Sequence, residues 1–186
     1  FLNTMVPSEK YFSEVYGLEC TRKAESTGVY YSFDDGIEKQ IARVSSEVHD
    51  MLIQTTGKVI QSDEALKACG IHRIFWEPIR HSWKTQQDNS LGGRLDFVLD
   101  KKNTVKLLEY NADSAGAMLE TAVIQRKWAR SMHLKEGEDA GRQLEMALIN
   151  RWKRMNISKD DVMHFMIDNE GEEKYNAAYM QEVAST

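Results

Sequence analysis

The sequence is short of the residues that would mark a cross-linked, membrane-spanning or nucleic-acid-binding chain. Two cysteines in 186 residues, Cys20 and Cys69, cannot build a disulfide framework, and no CxxC or Cys/His cluster offers zinc ligands at the usual spacing. A reducing, cytoplasmic compartment is the expectation. No apolar run approaches the roughly 20 residues of a membrane span, and the start lacks the charged-then-apolar layout of a signal peptide. Basic residues are in deficit, 24 Lys and Arg against 29 Asp and Glu, a net charge of −5 that argues against non-specific binding to nucleic acid or anionic lipid. Only two prolines occur, Pro7 and Pro78, with no Gly/Ser-rich stretch and no repeat, so no linker is indicated. What is present suits a globular domain, since 41% hydrophobic residues are enough to bury a core. The opening at Phe1 and the closing Val183-Ala184-Ser185-Thr186 read as a piece of something longer.

Residues 1–33 show no clean period and read as loop with a short strand near Val29 to Phe33. From Ile37 the pattern sharpens. Ile37, Ile41, Val44, Val48, Met51, Leu52 and Thr55 form one helical stripe that stops at Gly57, with Asp34 and Asp35 as caps. A second helical segment is predicted over Ile74 to Gln87, with Pro78 in its first turn and Trp83 inward. A third follows Asp113 and Ser114 and carries Leu119, Ala122, Val123, Ile124 and Trp128 around more than one face. A fourth spans about Asp139 to Met155 through Leu144, Ala147, Leu148 and Trp152. The apolar run Val162 to Ile167 reads as a buried strand enclosing His164, followed by an acidic loop and a helix bearing Tyr175, Ala178 and Tyr179, the opening of a βα unit.

The informative stretch runs from Gly93 to Asp113 and alternates at period two on both sides of a polar turn. Leu95, Phe97 and Leu99 face one way and Arg94 and Asp96 the other; Leu108 and Tyr110 oppose Glu109, Asn111 and Asp113. If Asp100 and Val105 close a loop of about four residues, Asp96 falls opposite Glu109. Facing carboxylates repel unless a positive charge lies beside them. Oxygen donors without sulfur or imidazole suit a hard ion, magnesium or manganese, with phosphate oxygens completing its shell, and Arg94 on the same face would meet a phosphate or carboxylate bidentately. The same pattern also suits a solvated hairpin face with Arg94 paired to Glu109. Asp113 and Ser114 are equally natural helix N-caps, a role compatible with a helix N-terminus aimed at an anion.

Ser82-Trp83-Lys84, Gly93-Arg94-Leu95-Asp96-Phe97, Leu108-Glu109-Tyr110-Asn111-Ala112-Asp113-Ser114 and the later Asp168 with Glu172-Glu173-Lys174-Tyr175 together resemble the synthetase domain of glutathionylspermidine synthases and trypanothione synthetases, from about Tyr30 onward. Gln86-Gln87 before Leu91-Gly92-Gly93, and Ser114 through Glu120, are more similar to the trypanothione synthetases. The resemblance implies an α+β fold: a partial ATP-grasp-type synthetase domain with amphipathic helices around an antiparallel hairpin and the start of an α/β unit at the C-terminus. In domain terms 1–186 is one incomplete synthetase domain, with 1–90 a mainly helical entry, 91–136 the hairpin and following helix, and 137–186 a helix and first βα unit. The amidase domain and the nucleotide-binding remainder lie outside it.

The implied activity is an ATP-dependent ligation of the glycine carboxylate of glutathione to an amine of spermidine, or of glutathionylspermidine, through an acyl phosphate. Asp96, Glu109 and Asn111 are implied as Mg2+ ligands, Arg94 as the catalytic residue touching the transferred phosphoryl group and glutathione, and Arg94 and Asp96 as ATP contacts. Ser114, Glu172 and Glu173 are implied in holding glutathione and the polyamine. Gly116 departs from the bacterial members, which have serine there. Cys20 and Cys69 do not match the family's amidase nucleophile. The isolated chain is expected to be inactive. Competing classes are a non-catalytic binding or scaffold domain with a solvated acidic hairpin, and a metal-dependent phosphohydrolase, for which no water-activating His is placed near the acids. Apart from the resemblance, the acidic loop Asp168 to Glu173 reads as a cap for the next helix, and the five histidines show no metal spacing.

Overall fold

Asp34 opens the longest helix by accepting a hydrogen bond from the Ile37 N–H at 2.9 Å, the N-cap that its sequence position predicts. The computed structural model describes residues 1–16, 30–86, 90–112, 116–134, 141–155, 157–158, 160–168 and 171–186. The chain divides into two compact units, one of residues 1–32, 91–94 and 111–186, the other of residues 33–90 and 95–110. Two architectural classes mix: helices, and a two-stranded antiparallel sheet. No helix among the described residues is long and apolar enough to cross a membrane.

In the second unit, α2 (Asp35–Ile60) runs past Gly57, the expected stop. A β-carbon on Gly57 would stand 3.2 Å from Cζ2 of Trp83, so glycine here makes room for the indole rather than ending the helix. The short helix α3 (Asp63–Ala68), which the periodicity does not reveal, starts at Ser62, whose Oγ accepts the Ala65 N–H at 3.1 Å, and it buries Leu66 completely. A 3-10 turn at Arg73–Phe75 leads into α4 (Trp76–Gln86). Pro78 sits in its first turn, where the missing N–H costs no intrahelical bond. Arg80 ties these pieces together: its Nε donates to the Ile60 carbonyl at 3.0 Å and its guanidinium pairs with Asp63 and Glu77.

The sheet is formed by β1 (Gly93–Leu99) and β2 (Val105–Ala112). Its turn corrects the expected loop. The Asp100 N–H donates to the Thr104 carbonyl at 3.1 Å, the Asn103 N–H donates to the Asp100 carbonyl at 2.9 Å, and Asn103 has φ 59°. That is a three-residue loop ending in a left-handed residue, one residue shorter than the Asp100/Val105 closure. The Asp100 carboxylate selects it by accepting the Lys102 and Thr104 N–H groups at 2.8 and 3.0 Å.

In the first unit, residues 7–16 form a helix where loop was expected: α1 (Pro7–Tyr16) buries Phe12 and lies along α7 (Gly171–Ala184). Ser8 at its start is buried, its N–H and hydroxyl both donating to Glu182 at 2.9 and 2.6 Å, which satisfies donors that α1 cannot pair internally. Of the short strand expected near Val29 to Phe33, Tyr30 to Phe33 are not strand, and Val29 lies outside the described residues. A π-helical turn at Glu120–Ile124 runs into α5 (Gln125–Ser131), and α6 (Gly141–Arg154) follows. Leu119, Ala122, Ile124, Leu148, Tyr175, Tyr179 and Val183 form the core with Phe12, so the third predicted helix does bury more than one face.

Val162 to Ile167 is not a strand. The segment carries no strand assignment, and the sheet among the described residues consists of β1 and β2 alone. Its alternation survives: Met163 and Phe165 are half-buried, Phe165 against Trp152 with ring centroids 6.1 Å apart, while Val162 and Met166 are 77% and 93% exposed. His164 is therefore exposed and not a core residue.

Candidate functional site

Both strands of the hairpin cross the unit boundary, leaving Arg94 and Asn111 in the first unit and Asp96 and Glu109 in the second. None of the four lacks an interaction partner. Asp96 is half-buried in the middle of β1, Glu109 is exposed on β2, and Asn111 is half-buried near the end of β2. Counted up the strands without interruption from the Asp100–Thr104 closure, Asp96 meets Leu108. The three-residue loop thus shifts the expected Asp96–Glu109 pairing by one residue, and restoring it would take one extra residue within β2.

Between Glu109 and Asn111 stands Tyr110, whose hydroxyl lies 2.9 Å from Nδ1 of His49 on α2, the two rings meeting edge to face. Sequence periodicity places Tyr110 on the apolar face and leaves His49 without a role; the polar tip of an otherwise apolar tyrosine is the signal that it needs a partner.

In the first unit the guanidinium of Arg94 lies against the backbone at Gly116, where a β-carbon would stand 2.5 Å from its Nη1. Ser114 and Asp113 lie outside the described residues. Glu172 and Glu173 occupy the first turn of α7, where carboxylates favour the helix dipole. Each also has a local partner: the Tyr16 hydroxyl donates to Glu172 Oε1 at 2.9 Å, and the Asp168 N–H donates to Glu173 Oε2 at 2.9 Å. Both carboxylates are exposed, and residues 169 and 170, where a cap for α7 would stand, lie outside the described residues.

Behind Glu172 a polar chain enters the core. Tyr175 is fully buried and its hydroxyl donates to Glu120 Oε1, while Glu120 Oε2 is buried with no hydrogen-bond partner. Burial first, then the bond to Glu120, push the Tyr175 phenol well above the ordinary tyrosine range. The Tyr16 phenol is also raised: its hydrogen bond with Tyr175 lowers it, but burial and the Glu172 carboxylate outweigh that. Asn176 bridges the same region, accepting from the Leu119 N–H and donating to the Glu172 carbonyl at 3.1 Å. Neither Tyr16 nor Glu120 stands out in the sequence.

The donor set suits a hard cation. Asp96, Glu109 and Asn111 offer oxygen only, and Cys69 is a free, exposed cysteine. Among the described residues no group of three or more His, Cys, Asp and Glu side chains is placed to hold a metal.

Comparison with known proteins agrees with the motif order. Residues 11–186 match the family described as glutathionylspermidine synthase preATP-grasp. The chain is 37% identical over 183 residues to a trypanothione synthetase of Crithidia fasciculata, covering 96% of this chain and 28% of that protein. It is 31% identical over 153 residues to the bifunctional glutathionylspermidine synthetase/amidase of Escherichia coli, covering 82% of this chain and 24% of the relative. A putative acid–amine ligase of Haemophilus influenzae is 26% identical over 162 residues, 40% of its length. The chain thus spans less than half of each of these relatives, and it belongs to the glutathionylspermidine synthase pre-ATP-grasp family.

Proposed function

We propose that this chain is part of a cytoplasmic ATP-dependent carboxylate–amine ligase of the ATP-grasp type, which joins the glycine carboxylate of glutathione to spermidine or glutathionylspermidine. The observation that carries this reading is the family match over residues 11–186, within which β1 and β2 bear Arg94, Asp96, Glu109 and Asn111 in the motif order. A carboxylate oxygen of glutathione attacks the γ-phosphorus of ATP and ADP leaves. The amine nitrogen then attacks the carbonyl carbon of the acyl phosphate, phosphate departs with the C–O electron pair, and the nitrogen loses a proton. Arg94 holds the phosphoryl oxygens and the glutathione carboxylate in line, with its fork supplying two parallel donors where charge develops.

Asp96, Glu109 and Asn111 would hold Mg2+, which neutralises phosphate charge when bound. Glu172 and Glu173, exposed at the start of α7, give a cationic amine and glutathione their polar contacts, and Ser114 adds a hydroxyl to glutathione. In this reading residues 1–186 form one incomplete synthetase domain and do not turn over ATP by themselves, the nucleotide grip being supplied by further residues of the same polypeptide. The exposure of Glu109 favours the second reading, a binding domain whose hairpin is simply solvated.

Isotope transfer separates the two. Glutathione labelled with 18O in its glycine carboxylate, incubated with the complete synthetase, ATP and spermidine, should deliver one 18O into the released phosphate per amide formed. Unlabelled phosphate would exclude the acyl phosphate route, and absence of amide would leave the binding domain.

A further inference from the structure

The last residue of α1 reaches the first turn of α7: the Tyr16 hydroxyl donates to Oε1 of Glu172 at 2.9 Å. The donor is held from behind. The Tyr16 ring lies 4.7 Å, centroid to centroid, from that of Phe12 and 6.3 Å from that of Tyr175, and both of those rings are buried in the core. Ring packing of this kind leaves a phenol little freedom, so its hydroxyl is delivered to one place. The helix that carries it is fixed at both ends. Ser8 donates twice to Glu182 in the last turn of α7, and a β-carbon on Gly171 would stand 2.8 Å from Cγ2 of Val15, a β-branched side chain that a helix holds largely in one rotamer. α1 also takes up the cation nearest in sequence to the two carboxylates, since Nζ of Lys174 lies 4.0 Å from the centre of the Tyr11 ring. The N-terminal end of α7 is itself partly positive, so a cationic ligand is held at this end through its carboxylates and not by the helix.

We propose that Tyr16 is a positioning residue for Glu172: by occupying Oε1 it orders the carboxylate and leaves Oε2 for a cationic amine. The inference rests on the reading of Glu172 as a contact of the amine substrate. An exposed glutamate samples several rotamers, and ordering it on binding costs affinity. The Tyr16 hydrogen bond orders it before the amine arrives. Tyr16→Phe keeps the ring against Phe12 and Tyr175 and removes the donor.

Tyr16→Phe and Glu172→Ala are made singly and together in the complete synthetase. Product formation is followed with spermidine and, separately, with hydroxylamine, which is uncharged at neutral pH and traps an acyl phosphate as the hydroxamate. Tyr16→Phe should raise the KM for spermidine roughly fivefold while kcat and the hydroxylamine rate hold, and it should cost nothing further in the Glu172→Ala background. Equal losses with both nucleophiles would mean general damage to the site and overturn the inference, as would an unchanged KM in Tyr16→Phe beside a raised one in Glu172→Ala. An unchanged KM for spermidine in Glu172→Ala overturns the reading of Glu172 itself, and the inference falls with it. The contact has a readout free of catalysis: the Tyr16 ring Cζ resonance of the 186-residue chain should move in Glu172→Ala. An unmoved resonance overturns the positioning role whatever the kinetics.

Discussion

The Tyr110 hydroxyl lies 2.9 Å from Nδ1 of His49, which fastens β2 to α2 at the residue between Glu109 and Asn111. A strand residue whose face is locked this way sends its two neighbours to the opposite face. Tyr110→Phe removes the bond while keeping the ring, and should cost about 1 kcal/mol in urea unfolding. His49→Leu alone should cost a similar amount, and the double variant should cost less than the sum of the two. Strict additivity would mean that the pair does not interact in solution.

Tyr175→Phe tests the buried polar chain. It removes the donor to Glu120 Oε1 while Glu120 Oε2 already has no partner, so a carboxylate is left without a hydrogen bond. A loss of about 1 to 3 kcal/mol is expected by denaturant titration. Restoration by Tyr175→Phe combined with Glu120→Leu, which removes the orphaned group, would identify the carboxylate as the cause.

Alkaline titration should separate the tyrosines. Tyr175 and Tyr179 are raised above the ordinary value, chiefly by burial, then by Glu120 and Glu145 respectively. A folded pKa above the unfolded one gives stability that is complete below the unfolded value, near 10, and is lost as pH rises toward the folded value. Absorbance at phenolate wavelengths should therefore show Tyr175 and Tyr179 still protonated past the ordinary tyrosine value and released only on unfolding. Ionisation of all tyrosines in one step without loss of helical circular dichroism would contradict the burial of this pair.

Acid acts on the hairpin turn in the opposite sense. The Thr104 N–H first, then that of Lys102, hold the Asp100 carboxyl below its ordinary value. The turn is then fully supported above the unfolded carboxyl value, near 4, and weakens as pH falls through the lower folded value. Amide resonances of Lys102 and Thr104 should follow that lower midpoint in an NMR titration, and in Asp100→Ala they should lose their pH dependence.

How much of this was legible in the sequence differs by element. Where burial follows a single period the reading is close: the stripe from Ile37 predicts α2, and the alternation from Gly93 predicts both strands. Gly57 misleads because a glycine that makes room for Trp83 and one that ends a helix look alike in one dimension. The hairpin loop comes out one residue too long because Asn103 can adopt the left-handed conformation that a three-residue loop needs. Val162 to Ile167 has a strand's composition, but a strand is a property of a pair, and the sheet among the described residues consists of β1 and β2 alone. Of the candidate site, the acids and Arg94 were visible as a motif; His49, Tyr16 and Glu120 were not, since their roles come from contacts between distant parts of the chain.

The metal set is tested most directly by amide formation in the complete synthetase carrying Asp96→Asn, which keeps the side chain's size and removes its charge. With glutathione, spermidine and ATP saturating and magnesium varied, the rate should fall about a thousandfold or more while the thermal midpoint holds. A rate within roughly threefold of wild type, less than 1 kcal/mol in the barrier, would contradict the assignment of Asp96 to the metal.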